Sequence, residues 1–221
     1  SLKILLTCED FFPHIGGAEV CTANLRKEFL RAGHTVTLFT NTMAKTADEA
    51  DIIRVPWSFT PLGIVRNIRA LWDLIGTHDV VHAQYCFRLA ALCAVIARLR
   101  RKPMLLTQQG KGIVPEGGTK MRHRPLVAFC RFVSLRLATL VTSTSREITD
   151  LTAQFVPRAK IRDITNGYDA RLFRPDPSLP MPPEFTKAPD GAMKLLTVRR
   201  LNPKNGIHIL VQALALVRDR N

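Results

Sequence analysis

Acidic residues are scarce in this chain: 18 Asp and Glu stand against 32 Lys and Arg, a formal net charge of +14. Such a surface attracts anionic partners, among them nucleotide diphosphates, acidic lipid surfaces and nucleic acid. Tyrosine and tryptophan are scarce too, two of each, which leaves little for base stacking, and no recognised nucleic-acid-binding motif occurs. No nucleic acid partner is therefore expected. No apolar run reaches the length of a membrane span, and the N-terminus lacks the basic-then-apolar order of a signal peptide. Ser1 in place of Met points to a trimmed start or to a residue left by cloning. The cysteines (Cys8, Cys21, Cys86, Cys93 and Cys130) are odd in number and scattered among apolar neighbours. They read as reduced core residues of a cytosolic protein, and no metal-ligand spacing occurs.

What is present is ordinary globular material, 221 residues with 46% hydrophobic and 23% charged. That length supports one good core and part of a second. The stretch Phe11-Phe12-Pro13-His14-Ile15-Gly16-Gly17-Ala18-Glu19 follows an apolar run, Leu2 to Thr7, of the kind buried in a parallel sheet. Val20, Leu25, Phe29 and Leu30 then recur at helical spacing until Gly33. A strand therefore ends in a turn with two adjacent glycines, and a helix leaves from it. Backbone N–H groups there can approach a ligand, and the helix N-terminus favours phosphate or another anion. The bland alternative is that the glycines serve backbone freedom alone.

Further strands are expected at Thr35–Thr40, Ile52–Val55, Asp79–His82, Pro103–Thr107, Val141–Thr142 and Ile161–Ile164. Helical patterns lie between several of them. Ile64, Ile68, Leu71, Leu74 and Ile75 mark one face, Ala90–Leu99 forms an alanine- and leucine-rich helix, and Pro125–Leu140 forms another. Thr144 to Glu147 has capping-box spacing for the next. Alternating strands and helices predict an α/β domain, a Rossmann-like doubly wound parallel sheet with helices on both faces, over residues 1–173. The proline-rich stretch 174–192 reads as an interdomain linker. Leu195–Val198 is expected to be a strand and Ile207, Leu210, Leu214 and Val217 a helical stripe. Residues 193–221 thus read as the first unit of a truncated second Rossmann-like domain whose remainder is missing.

Four segments in order carry a family resemblance: Phe12–Glu19, Gly33–Val36, Asn166–Asp169 with Phe173–Pro175, and Leu196–Leu201 with Gly206–Ile207. The chain resembles the family-4 retaining glycosyltransferases of GT-B fold. The resemblance implies an acceptor-binding N-terminal domain, a nucleotide-sugar-binding C-terminal domain, and retention of anomeric configuration with no metal and no cofactor beyond the donor substrate. It implies that Gly16 and Gly17 face donor phosphates or acceptor, and that Arg200 meets the leaving nucleotide diphosphate, whose growing charge must be stabilised. Three positions depart from the family pattern. Asn205 stands at a usual lysine, with Lys204 beside it as the candidate substitute. Gln109 stands at a usual histidine and can still hydrogen-bond a sugar hydroxyl. Arg199 stands at a frequent glycine.

The candidate catalytic residues are thus Arg200 and Lys204. The candidates for acceptor or donor-phosphate binding are His14, Gly16, Gly17 and Gln109. The partners expected are a nucleotide sugar and a glycan or lipid-linked acceptor, as in envelope polysaccharide or glycolipid synthesis, with no sugar transfer by the 221 residues alone. A possible anionic membrane surface follows from Arg122, Arg124, Arg131 and Arg136 among Leu126, Val127, Phe129, Phe132 and Val133, which would make the protein peripheral on the inner face of the plasma membrane. Its rival is a helix whose apolar side simply packs on the sheet. Among the histidines, His34 reads as structural, His82 as the end of a strand, and His78, His123 and His208 as surface residues. A dinucleotide-dependent oxidoreductase fits less well: the turn is Gly-Gly, and no acid ends the second strand (Phe39-Thr40-Asn41).

Overall fold

The computed structural model describes residues 1–44, 50–58, 60–85, 87–110, 124–180, 183, 191, 193, 195–199, 201 and 203–218. Seven parallel strands form one sheet: β1 (Lys3–Cys8), β2 (Thr35–Thr40), β3 (Ile52–Arg54), β4 (Val80–Gln84), β5 (Met104–Gln108), β6 (Leu140–Ser143) and β7 (Ile161–Asp163). Their order is β3-β2-β1-β4-β5-β6-β7. The helices are α1 (Gly17–Arg31), α2 (Pro61–Thr77), α3 (Arg88–Leu99), α4 (Arg124–Leu137), α5 (Arg146–Ala153) and α6 (Ile207–Arg218). The expected doubly wound α/β architecture is what the chain adopts.

Alternation along the strands sorts the core into two layers. Leu5, Phe39, Val81, Ala83, Leu106 and Val141 face one side and pack under α2, α3 and α4, with Ile148 and Leu151 of α5 against the same cluster. Ile4, Leu6, Val36 and Leu38 face the other side, where Ala23, Leu25 and Phe29 of α1 cover them. Chain direction explains the split. The β1-to-β2 step runs one way along the sheet, whereas the steps from β3 through β7 run the other, so right-handed crossovers place their helices on opposite faces. Gly33 closes α1 with φ +82°; His34 N–H donates to Phe29 O at 3.1 Å, a helix stop that needs the left-handed conformation.

Several faces differ from the sequence reading. The inward residues of α2 are Gly63, Asn67, Leu71 and Ile75, while Ile64 and Ile68 are exposed. Asn67 turns inward because it is fully satisfied there, donating to Pro56 O at 3.2 Å and Gly63 O at 3.0 Å and accepting from Asn41 at 2.9 Å. Gly63 lies so close to Ser58 that a Cβ would clash. Val20 and Leu30 of α1 also point outward. Ser145, not Thr144, caps α5, accepting from Ile148 N–H; Thr144 instead donates to Gln108 O at 3.3 Å. His78, read as a surface residue, is buried, with its ring nitrogens on Leu74 O (2.6 Å) and Thr37 Oγ1 (2.9 Å). His34 is structural as expected, accepting from Leu2 N–H, His208 is exposed, and His123 lies outside the described residues.

Cys8, Cys93 and Cys130 are buried free thiols, while Cys21 is half-buried rather than in the core; Cys86 lies outside the described residues. No described helix is long and apolar enough to cross a membrane.

The chain divides into two compact units, Ser1–Tyr168 and Asp169–Asn221. In the second, the stretch Leu195–Arg199 is not a strand, correcting the expectation for Leu195–Val198. A strand is held by its ladder, and no pairing partner for it occurs among the described residues. Leu210, Leu214 and Val217 of α6 stay exposed.

Candidate functional site

β1 and β4 lie side by side, yet their helices α1 and α3 leave to opposite faces. That is the switch point of the sheet, where a crevice opens beyond the carboxyl ends of the strands. The stretch Phe11–Glu19 begins there. Phe11 is buried and plugs the bend into the α1-side core, and its N–H donates to Thr42 Oγ1 at 3.0 Å. Arg54 clamps the bend from β3, donating to Phe12 O at 2.8 Å and Thr42 O at 2.6 Å.

The glycine pair can now be read. Gly16 caps α1 in an extended conformation (φ −154°, ψ 172°), and Gly17 is its first helical residue. Neither needs glycine's access to positive φ. What the pair contributes is the absence of side chains: Gly16 offers no side-chain cap, and a Cβ on Gly17 would meet nothing within 4 Å. The first turn therefore has no capping side chain and open space at Gly17, an arrangement suited to an anion.

His14 stands on the same bend, with Nδ1 3.2 Å from Oε1 of the buried Glu19. The bond pins the bend to the first turn of α1 and leaves the imidazole largely exposed, 60% of its side chain. Gln109, at the end of β5, donates to Gln84 Oε1 at 2.6 Å and hydrogen-bonds the Cys21 thiol, whose pKa burial pushes up. Cys21 in turn donates to Asn166 Oδ1 at 3.2 Å. Four of the expected residues, His14, Gly16, Gly17 and Gln109, therefore gather on or against the first two turns of α1. Arg200 lies outside the described residues. Lys204 falls in a short 3-10 turn, Pro203–Asn205, of the second unit.

Three groups that sequence reasoning passed over complete this edge. Glu9 is buried and receives two bonds from Arg88 on one carboxylate oxygen, from Nη2 at 2.5 Å and from Nε at 2.9 Å. Arg88 also lies over the rings of Trp57 and Phe87. Tyr85 is buried in the left-handed region (φ 45°), and its hydroxyl accepts from Asp10 N–H at 2.9 Å. Burial raises its pKa, and likewise raises that of Cys8 to about 11, so both stay protonated and neutral. Together these bonds fix β1's end against β4's. The available signal was Glu9-Asp10 directly after an apolar strand, an acid pair on the ligand-binding edge.

Beneath Gln84 a polar file runs across the α1 side of the sheet. His82 sits inside β4 rather than at its end, with Nε2 2.7 Å from Thr107 Oγ1, which is 2.7 Å from Thr142 Oγ1. Burial lowers the His82 pKa to about 4, so it is a neutral imidazole. Among the described residues no group of acids, histidines and cysteines could hold a metal ion.

A model of Glycosyltransferase Family 4 matches residues 15–172, well over half of the chain and from the glycine bend to the end of the sheet domain. The chain belongs to Glycosyltransferase Family 4. No curated protein matches it. Among solved structures, this chain is similar to UDP-N-acetylglucosamine 2-epimerase from Rickettsia bellii (TM-score 0.55, 13% identity, 75% of this chain and 45% of that one). It is also similar to UDP-GlcNAc 2-epimerase from Methanocaldococcus jannaschii (0.52, 12%, 75% and 45%) and to that of Neisseria meningitidis bound to UDP-GlcNAc (0.50, 13%, 72% and 45%). At such identities the likeness is one of fold. The chain spans less than half the length of these proteins.

Proposed function

We propose that this chain is the acceptor-side part of a retaining glycosyltransferase, which moves a sugar from a nucleotide-diphosphate donor to a glycan or lipid-linked acceptor. Family membership supports the reaction class. The observation that carries the site is the Gly16–Gly17 bend: an uncapped helix N-terminus at the sheet's switch point, cleared of side chains, beside His14 and Gln109. Its N–H groups meet a phosphate oxygen of the donor or acceptor, and Gln109 bonds a sugar hydroxyl. Residues 1–173 bind the acceptor, the proline-rich stretch 174–192 links, and residues 193–221 begin the donor domain. There Arg200 and Lys204 meet the leaving diphosphate, whose charge needs fixed cationic donors as the glycosidic bond breaks. The reaction uses no metal and no cofactor. The UDP-sugar named with the epimerase of like fold supports a nucleotide sugar as the donor class.

One further observation favours work at a membrane. Cys130, Ser134 and Leu135 of α4 are buried, but Phe129 and Phe132 are 63% and 61% exposed. Aromatic rings beside arginines on one helix suit an anionic interface, which supports a peripheral position on the inner face of the plasma membrane.

The test is release of nucleoside diphosphate from a panel of nucleotide sugars, with glycan and lipid acceptors supplied, by the longest gene product that contains this chain. Release that falls at least tenfold in Gly17→Val supports the reading. No release from any donor, or release indifferent to Gly17→Val, overturns it.

A further inference from the structure

At the opposite, amino-terminal edge of the sheet, Ala97, Arg98, Arg101, Lys102, Pro103, Leu137 and Thr139 line a cavity of about 450 Å³. That volume is in the range of small-molecule sites. Three of the seven lining residues are cationic and none is acidic. We propose that Arg98, Arg101 and Lys102 form a second anion site, which takes a phosphate group, carried either by a lipid headgroup or by a free phosphorylated metabolite. The proposal is independent of the transferase reading.

The ordinary reason for cations here would be the C-terminus of α3, whose carbonyls favour positive charge. Those carbonyls are already satisfied by the backbone: Arg100 N–H donates to Ile96 O at 2.8 Å, Lys102 N–H to Ala97 O at 2.8 Å and Arg101 N–H to Arg98 O at 3.3 Å. The side chains of Arg98, Arg101 and Lys102 make no hydrogen bond or ion pair with any described residue. Nearby cations are spoken for, with Arg100 over the Trp72 ring and Lys160 donating to Leu135 O and Arg136 O. Asp79, the acid just before β4 at this edge, is engaged as well, accepting from Lys3 N–H. Arg101 moreover has φ +55°, a conformation that favours glycine, so an arginine is held at the mouth of the cavity where a side chain is strained. The left-handed turn itself is the stop of α3; glycine or asparagine is the usual residue there, and this chain has an arginine. Two guanidinium forks and an ammonium, without a partner among the described residues, match a phosphate's oxygens.

Binding of pyrophosphate to the 221-residue chain by calorimetry, and co-sedimentation with vesicles of phosphatidylcholine alone or with phosphatidylglycerol, test the site. The charge-neutral variant Arg98→Gln/Arg101→Gln/Lys102→Gln is compared with Lys27→Gln/Arg69→Gln/Arg162→Gln, which loses the same charge elsewhere. A tenfold or greater loss in the first variant only, in either assay, is expected; loss for vesicles alone assigns a lipid phosphate, and loss for pyrophosphate a free one. Equal effects of the two variants, or wild-type protein that binds neither probe, overturn the proposal.

Discussion

At the carboxyl-terminal edge of the sheet two buried carboxylates are matched, Glu9 by Arg88 and Glu19 by the exposed His14 ring. At the amino-terminal edge Arg98, Arg101 and Lys102 line an open cavity and bind nothing within the described fold. The difference follows from where the chain turns. Carboxyl ends carry the β-to-α bends, so their side chains are gripped between a strand, a departing helix and the neighbouring bend. Amino ends receive short α-to-β turns, whose side chains reach outward. Charge at the first edge shapes the crevice and holds the fold; charge at the second is spare, and available to a ligand.

The sharpest way to break this contrast is Arg88→Ala. It leaves Glu9 buried without its guanidinium, which costs about 3–5 kcal/mol. Urea unfolding followed by circular dichroism reads the loss, and a change under 1 kcal/mol would place the ion pair outside the fold's supports. Next in size is the pH dependence of the polar file. His82 is neutral in the fold because burial lowers its pKa from 6.5 to about 4, so the unfolded chain binds the extra proton between those values. Stability is therefore full above pH 6.5 and falls as pH drops toward 4, by up to about 3 kcal/mol for this group. His82→Gln should flatten that part of the profile.

A smaller effect has the opposite sign. Gly17→Ala adds a Cβ into open space at a helical position and should raise stability by about 0.5–1 kcal/mol while weakening phosphate binding at the bend. Stabilisation without loss of binding would return the glycine to a purely structural role. Smallest of all, the triple glutamine variant at Arg98, Arg101 and Lys102 should leave stability within about 0.5 kcal/mol of wild type, because no hydrogen bond or ion pair among the described residues is removed.

Much of the architecture was legible because its signals are local. Apolar runs such as Lys3–Cys8 and Met104–Gln108 are strands since both faces of a parallel sheet are buried, and Gly33 stops α1 by a conformation that few other residues accept. What was not legible depends on neighbours distant in sequence. Which face of α2 turns inward is decided by Asn67 reaching Asn41 and Pro56, not by the isoleucines beside it. His78, just after α2, is buried with its ring bonded to Leu74 O and to Thr37 Oγ1 of β2. Glu9 and Arg88 meet across the switch point from positions 79 apart in the sequence, so no spacing rule could pair them. At the site itself, the glycine bend was readable from strand, glycines and helix in series. The hold of Gln109 on Cys21 and Gln84 was not, since it arises only where β4, β5 and α1 converge.

The central claim is that the bend before α1 receives a phosphate-bearing group, and an amide-resolved NMR titration of the labelled chain with UDP tests it most directly. The account predicts that the Gly17, Ala18 and Glu19 amides and the Gln109 side-chain amide shift saturably, and that Gly17→Val abolishes those shifts while its spectrum otherwise stays folded. Resonances of Gly17 to Glu19 that remain still at saturating UDP would contradict it.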